Sequence, residues 1–107
     1  MTPTKAERAR FQALQTIGCV ACRKNGVFSQ ADVHHLLSGG GRRRGHSFTI
    51  PLCPWHHRGQ PPGDLAVRTS TLVYGPSLAR SPRKFREVFG TDEELLAQTD
   101  LLVGMLK

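Results

Sequence analysis

Three cysteines, and where they stand, set the tightest limit on what this chain of 107 residues can fold into. They occur as Cys19-Val20-Ala21-Cys22 and, after 30 intervening residues, in Cys53-Pro54-Trp55-His56. An odd number of thiols cannot all pair, which speaks against a disulfide-stapled secreted scaffold. Two short ligand pairs joined by a long loop are instead what tetrahedral zinc requires, each pair being offered by a turn or helix start. The set Cys19, Cys22, Cys53 and His56 uses every cysteine in the chain. The alternative for the first pair is a redox Cys-x-x-Cys. That motif normally opens a helix after a buried strand, whereas here a helical pattern precedes it and Arg23-Lys24-Asn25-Gly26 follows. A metal staple also suits a chain with only five Phe, one Tyr and one Trp to build its core, since a domain this small often needs one. The length allows a single domain spanning residues 1–107.

Charge narrows the partner. The formal net charge is +7 and the isoelectric point about 10.2. Residues 1–90 hold 14 Lys and Arg against 4 Asp and Glu, while Asp92, Glu93, Glu94 and Asp100 crowd the C-terminal segment. A basic body with an acidic tail points to a polyanion, most often nucleic acid. No apolar run approaches the ~20 residues of a membrane span, and Met1 to Arg10 lacks the apolar stretch of a signal peptide. The expectation is a cytosolic protein with no membrane partner.

The coarse pattern is α+β. Lys5 to Gln15 reads as a helix, with Thr4 and Glu7 spaced as a capping box and Gly18 as its stop. The N-terminal helical segment is expected over about residues 5–16. Val33 to Leu37 and Thr49 to Leu52 read as short strands. Between them, Ser38-Gly39-Gly40-Gly41-Arg42-Arg43-Arg44-Gly45 is too rich in glycine for a regular element. Pro54 suits the first turn of a helix, which Gly59, Pro61, Pro62 and Gly63 must cut short. Residues 64–80 carry no clear pattern beyond a turn at Gly75-Pro76. Pro82 to Phe89 reads as a helix with Phe85, Val88 and Phe89 on one face. Thr91 can cap a last helix whose first turn holds Asp92, Glu93 and Glu94, where the dipole favours anions. Leu95, Leu96, Leu101, Leu102 and Leu106 give that helix an apolar side, so a helical extension is expected over about 82–106.

With His56 assigned to zinc, four histidines remain: His34, His35, His46 and His57. Neighbouring residues on a helix diverge by about 100°, so His56 can face the zinc while His57 faces elsewhere. If zinc pins that helix against the first strand, His57 points to the His34/His35 pair. Three imidazoles gathered there offer metal ligands and a general base, the equipment of phosphodiester hydrolysis. Surface histidines, or a second structural zinc, are the plainer alternatives.

The order Cys-x2-Cys, Val33-His34-His35-Leu36, then Leu52-Cys53-Pro54-Trp55-His56-His57 resembles the HNH (ββα-metal) endonucleases. Over Cys19 to Phe28, the histidine pair and Pro51 to His57, it is closest to the phage recombination-enhancement nucleases that cut DNA in concert with the RecA recombinase. The likeness is strongest over residues 17–60, which would form the ββα-metal core. It implies that His34 and His57 bind a catalytic divalent ion and that His35 is the general base. Two positions depart from the pattern. Phe48 stands near the family's central Asn, which leaves His46, or else Ser47 or Thr49, to orient the base. Pro61 replaces a further ligand, so the ion would be filled out by water, which suits Mg2+ or Mn2+, with Zn2+ a further option. The resemblance further implies a cytoplasmic, phage- or prophage-encoded DNA endonuclease, working beside a RecA-type filament.

Arg42, Arg43 and Arg44 could bridge DNA phosphates, with Arg58, Arg23 and Lys24 extending the basic surface. The stretch Pro82 to Arg86 is either another DNA contact or a helix's polar face. Nothing reads as a base-specific element. The competing readings are a zinc-stabilised nucleic-acid-binding module without catalysis and a docking protein acting through its leucine-rich last helix.

Overall fold

In a computed structural model, residues 2–37, 42 and 44–106 are described. The elements run α1 (Lys5–Ile17), α2 (Val20–Lys24), β1 (Asp32–His35), β2 (Thr49–Leu52), α3 (Pro54–Arg58), α4 (Val67–Tyr74), α5 (Pro82–Phe89) and α6 (Asp92–Met105). This is a small α+β fold on a two-stranded sheet. The strands β1 and β2 are antiparallel, with Asp32 opposite Leu52, Val33 opposite Pro51, His34 opposite Ile50 and His35 opposite Thr49. Proline lacks the ladder donor, so Pro51 is tolerated because both strands of a two-stranded sheet are edges.

Both long terminal helices begin as their sequences dictate. Thr4 and Glu7 close a reciprocal capping box on α1, and Thr91 and Glu94 do the same on α6. Helix α1 runs beyond Gln15 to Ile17, because Ile17 is buried and extends the apolar face begun by Leu14. Gly18 then ends it at φ 77°, donating its N–H to the Leu14 carbonyl. A Cβ there would meet the Phe28 ring at 2.5 Å and the Ser29 carbonyl at 2.7 Å, so only glycine fits.

Four expectations need correction. Strand β1 covers Asp32–His35 and not Val33–Leu37, although Leu36 still donates its N–H to the Phe48 carbonyl as the chain leaves the sheet. Residues 64–80, without a clear pattern in sequence, contain α4, which Gly75 terminates. On α5 only Phe85 and Phe89 are buried; Val88, three residues beyond Phe85 on the outer side, is exposed. Likewise α6 buries Leu95 and Leu96, while Leu101 and Leu106 face solvent.

The core gathers Val20, Ala21, Ala31, Leu36, Ile50, Leu52, Trp55, Phe85, Phe89, Leu95 and Leu96 around the three buried cysteines. Most of these side chains come from elements only four to eight residues long, and α2, β1, β2 and α3 could not hold together on propensity alone. No described helix is long and apolar enough to cross a membrane.

Candidate metal centre and histidine face

The strongest feature of the core is polar. Cys19 is the N-cap of α2 and Cys53 the N-cap of α3, and each thiol accepts a backbone N–H three residues on, from Cys22 and His56, at 3.4 Å. The two halves therefore use one device: a sulfur at a helix N-terminus, where N–H groups and the dipole favour thiolate. The ligand atoms of Cys19, Cys22, Cys53 and His56 all lie within 4.8 Å of one another, and all four residues are buried. Cys22 and Cys53 sulfurs are 3.8 Å apart. His56 Nδ1 is 3.5 Å from the sulfurs of Cys19 and Cys22 and 3.2 Å from that of Cys53. A zinc tetrahedron with bonds of about 2.3 Å to S and 2.0–2.1 Å to N has edges of about 3.8 and 3.6 Å. The donor set fits the ion.

The second ring nitrogen settles the tautomer. His56 Nε2 lies 2.8 Å from the Tyr74 carbonyl, which can only accept, so Nε2 carries a proton and Nδ1 is the nitrogen left to serve as a metal ligand once its own proton is displaced. Burial alone would lower the His56 pKa, but contacts with Cys22 and Cys53 outweigh it and hold the imidazole up at about 9. The neighbouring thiols Cys22 and Cys53 push Cys19 up, while hydrogen bonds from Cys19 and Cys22 hold Cys53 down. A divalent ion would let all three ionise and would replace the imidazole's proton. The cluster could thus bind a structural zinc.

On α3 the next residue turns the other way. The His57 ring lies 4.8 Å from the His34 ring, centroid to centroid, edge to face. Burial, then the proximity of His57, pushes the His34 pKa down to about 4, which keeps that imidazole neutral and its lone pair available at neutral pH. His57 Nδ1 is 3.4 Å from Asp32 Oδ2. Asp32 stands two residues before His34, hence on the same side of β1. That spacing was its only signal in the sequence. Asp32 also pairs with Arg58 at 3.2 Å.

His35 projects to the opposite side of the strand. Its Nε2 lies 3.0 Å from His46 Nδ1, so one ring donates to the other. The Phe11 ring packs edge-on to both, at 6.2 and 5.5 Å between centroids. His46 is held from its backbone as well, since Thr49 Oγ1 donates to the His46 carbonyl at 3.0 Å. Four histidines thus form two pairs, His34 with His57 and His35 with His46, on either side of one short strand. Phe48 does not join them; the Arg44 guanidinium lies over its ring, 4.4 Å from the centroid.

The basic residues are less uniform than their sequence suggests. Arg42 is exposed. Arg44 is tied to Glu93 at the start of α6 by an ion pair and to the Leu36 carbonyl through its backbone N–H. Arg43 lies outside the described residues. Arg58 is half committed to Asp32. Pro61 lines a cleft of about 530 Å³ beside Trp55 and Tyr74, which includes none of the four paired histidines.

A cluster fit for structural zinc under a strand carrying paired histidines is an arrangement that a nuclease can use, and likeness to known proteins bears on that choice. A family model described as recombination enhancement, RecA-dependent nuclease matches residues 3–103. That span runs from ahead of α1 to within the last turns of α6, and so this chain belongs to the family of recombination-enhancement, RecA-dependent nucleases.

Proposed function

We propose that the protein is a metal-dependent endonuclease of the HNH type, hydrolysing DNA phosphodiesters with little sequence specificity. The observation that carries this reading is the division of two adjacent histidines, His34 and His35, between different partners, His57 at 4.8 Å and His46 at 3.0 Å. In this reading zinc at Cys19, Cys22, Cys53 and His56 locks α3 beneath the sheet, which fixes where His57 stands relative to β1.

His34 and His57 would hold a divalent ion such as Mg2+ or Mn2+, which when bound neutralises charge building on the phosphate and its leaving oxygen. His34 is suited to this by its depressed pKa. Asp32, against His57 Nδ1, orients that ring in the manner of a carboxylate behind a metal-binding histidine. His35 takes the proton from the attacking water, and His46 sets the direction of its ring. Arg42, Arg43, Arg44 and Arg58 would meet backbone phosphates, a contact that positions DNA without reading its sequence. A substrate presented by a recombinase filament in the cytoplasm would need no base-reading element.

The test is cleavage of plasmid and single-stranded DNA with Mg2+, Mn2+ or EDTA, alone and beside a RecA filament. His35→Ala should cut about 10²–10⁴-fold more slowly, with zinc content and DNA binding retained, because a base contributes to rate and not to affinity. A His35→Ala protein that cuts like wild type would remove His35 from the reaction. A wild type that never cuts leaves the zinc-stabilised binding module.

A further inference from the structure

The HNH resemblance puts the family's central Asn near Phe48, and the polar side chains that reach this part of the structure come from α1 and the start of β2. Arg10 is largely buried, its side chain 14% exposed, and each of its three guanidinium nitrogens makes a hydrogen bond. Nε donates to Thr49 Oγ1 at 2.9 Å, one terminal nitrogen donates to the Thr49 carbonyl at 2.7 Å, and the other to Asp100 Oδ1 at 2.8 Å. Thr49 is fully buried and pairs directly with His35 across the sheet. Its hydroxyl has one proton to give. Arg10 can only donate, so the hydroxyl must accept from it, and the proton is left for the His46 carbonyl at 3.0 Å. The direction of every bond from Arg10 to His46 is thereby fixed by chemistry.

We infer that Arg10 and Thr49 are positioning residues for the His35–His46 pair, and that this relay replaces the amide that Phe48 cannot supply. The inference rests on the nuclease reading above. Arg10 clamps Thr49 at both its hydroxyl and its carbonyl, Thr49 anchors the backbone of His46, and the His46 ring then meets His35 Nε2 at a set angle. Phe11, one residue after Arg10 on α1, packs edge-on to the same two rings. Helix α1 therefore contributes to the histidine face twice, through Arg10 and through Phe11. Asp100 joins α6 to the same guanidinium from the solvent side, its own side chain being half exposed.

The experiment combines kinetics on plasmid DNA with NMR of the imidazole nitrogens in the zinc-loaded full chain. The variants are Arg10→Gln, Arg10→Lys, Thr49→Val and Thr49→Ser. Outer hydrogen-bond partners of this kind cost about 10–100-fold in activity when removed. Arg10→Gln, Arg10→Lys and Thr49→Val should lose kcat on that scale with KM for DNA and zinc content unchanged. Thr49→Ser keeps the hydroxyl and should retain wild-type kcat, a rescue that a purely steric role would not produce. The His46 and His35 ring nitrogens should show one tautomer in wild type and Thr49→Ser, and averaging in the other three. Arg10→Lys keeps the charge beside Asp100, so it holds α1 to α6 if Arg10→Gln does not fold. Wild-type kcat in Arg10→Lys and Thr49→Val, or unchanged ring nitrogens in both, would overturn the relay. If the wild type itself cuts no DNA, the nuclease reading fails, and the ring nitrogens still report whether the relay holds His46.

Discussion

Helix α3 carries two histidines in succession that belong to two different environments. His56 is fully buried, faces three thiols, and has its far nitrogen satisfied by the Tyr74 carbonyl. His57 is partly exposed and meets a histidine from one strand and a half-exposed carboxylate. The first environment is closed: four buried donors set within a shell of core side chains. The second is open, with two imidazoles and access for water. Structural and catalytic metal sites differ in this respect, since a reaction needs a coordination position that the protein leaves vacant. One five-residue helix serves both because the 100° step between neighbours turns adjacent side chains apart. The lesson is that the closed side supplies the rigidity on which the proposed open side depends.

The comparison breaks most visibly at its closed half. Cys22→Ser, or stripping zinc with a strong chelator, should unfold the chain. Structural zinc couples about 10–16 kcal/mol of binding to folding, comparable to or larger than the ~5–15 kcal/mol stability of a whole domain. Circular dichroism should show loss of helix and of a cooperative melt; a melt that survives would show that the thiols are not the staple.

The adjacent-residue version is sharper. His56→Ala should lose zinc and the fold together. His57→Ala should keep both, and lose DNA cleavage, as should His34→Ala. Because these two would weaken binding of an ion and not the proton transfer itself, high Mn2+ should restore part of their activity. It should restore none of the activity of His35→Ala. Equal recovery in all three variants would erase the distinction between ligand and base.

The smallest effect concerns the rim. Glu93→Gln releases Arg44, and if that arginine then reaches a phosphate, the log–log salt slope of duplex binding should steepen by roughly 0.9. The gain in affinity should be modest and fade as salt rises, as for any exposed ion pair. An unchanged slope would leave Arg44 as a structural partner of Phe48 and Glu93.

The closed half is legible in the sequence because ligand spacing is local. Cys19 to Cys22 and Cys53 to His56 each fit within one turn, and the two capping boxes are equally short-range. The histidine face is legible in part. Adjacent imidazoles on a strand must diverge, and so must His56 and His57 on a helix, yet nothing local says which ring meets which. Contacts spanning 39 and 90 residues, such as Arg10 with Thr49 and with Asp100, leave no trace in spacing or periodicity. Asp32 gave only its even offset from His34. Arg44 reads in sequence as a free cation because its partner Glu93 is 49 residues away. The exposure of Val88 and Leu101 also escapes a helical wheel, since amphipathic spacing names a face without saying how wide a strip the core will cover.

The most direct test of two separate metal sites is metal content measured alongside cleavage after dialysis against EDTA mild enough to spare buried thiolate-bound zinc. The dialysed protein should retain about one zinc per chain and its full cooperative melt, cut no DNA, and regain cleavage when Mg2+ or Mn2+ is returned without added zinc. Cleavage that persists at full rate after dialysis, or that disappears only when the zinc and the fold are lost with it, would contradict the division between a closed site that holds the fold and an open one that does the chemistry.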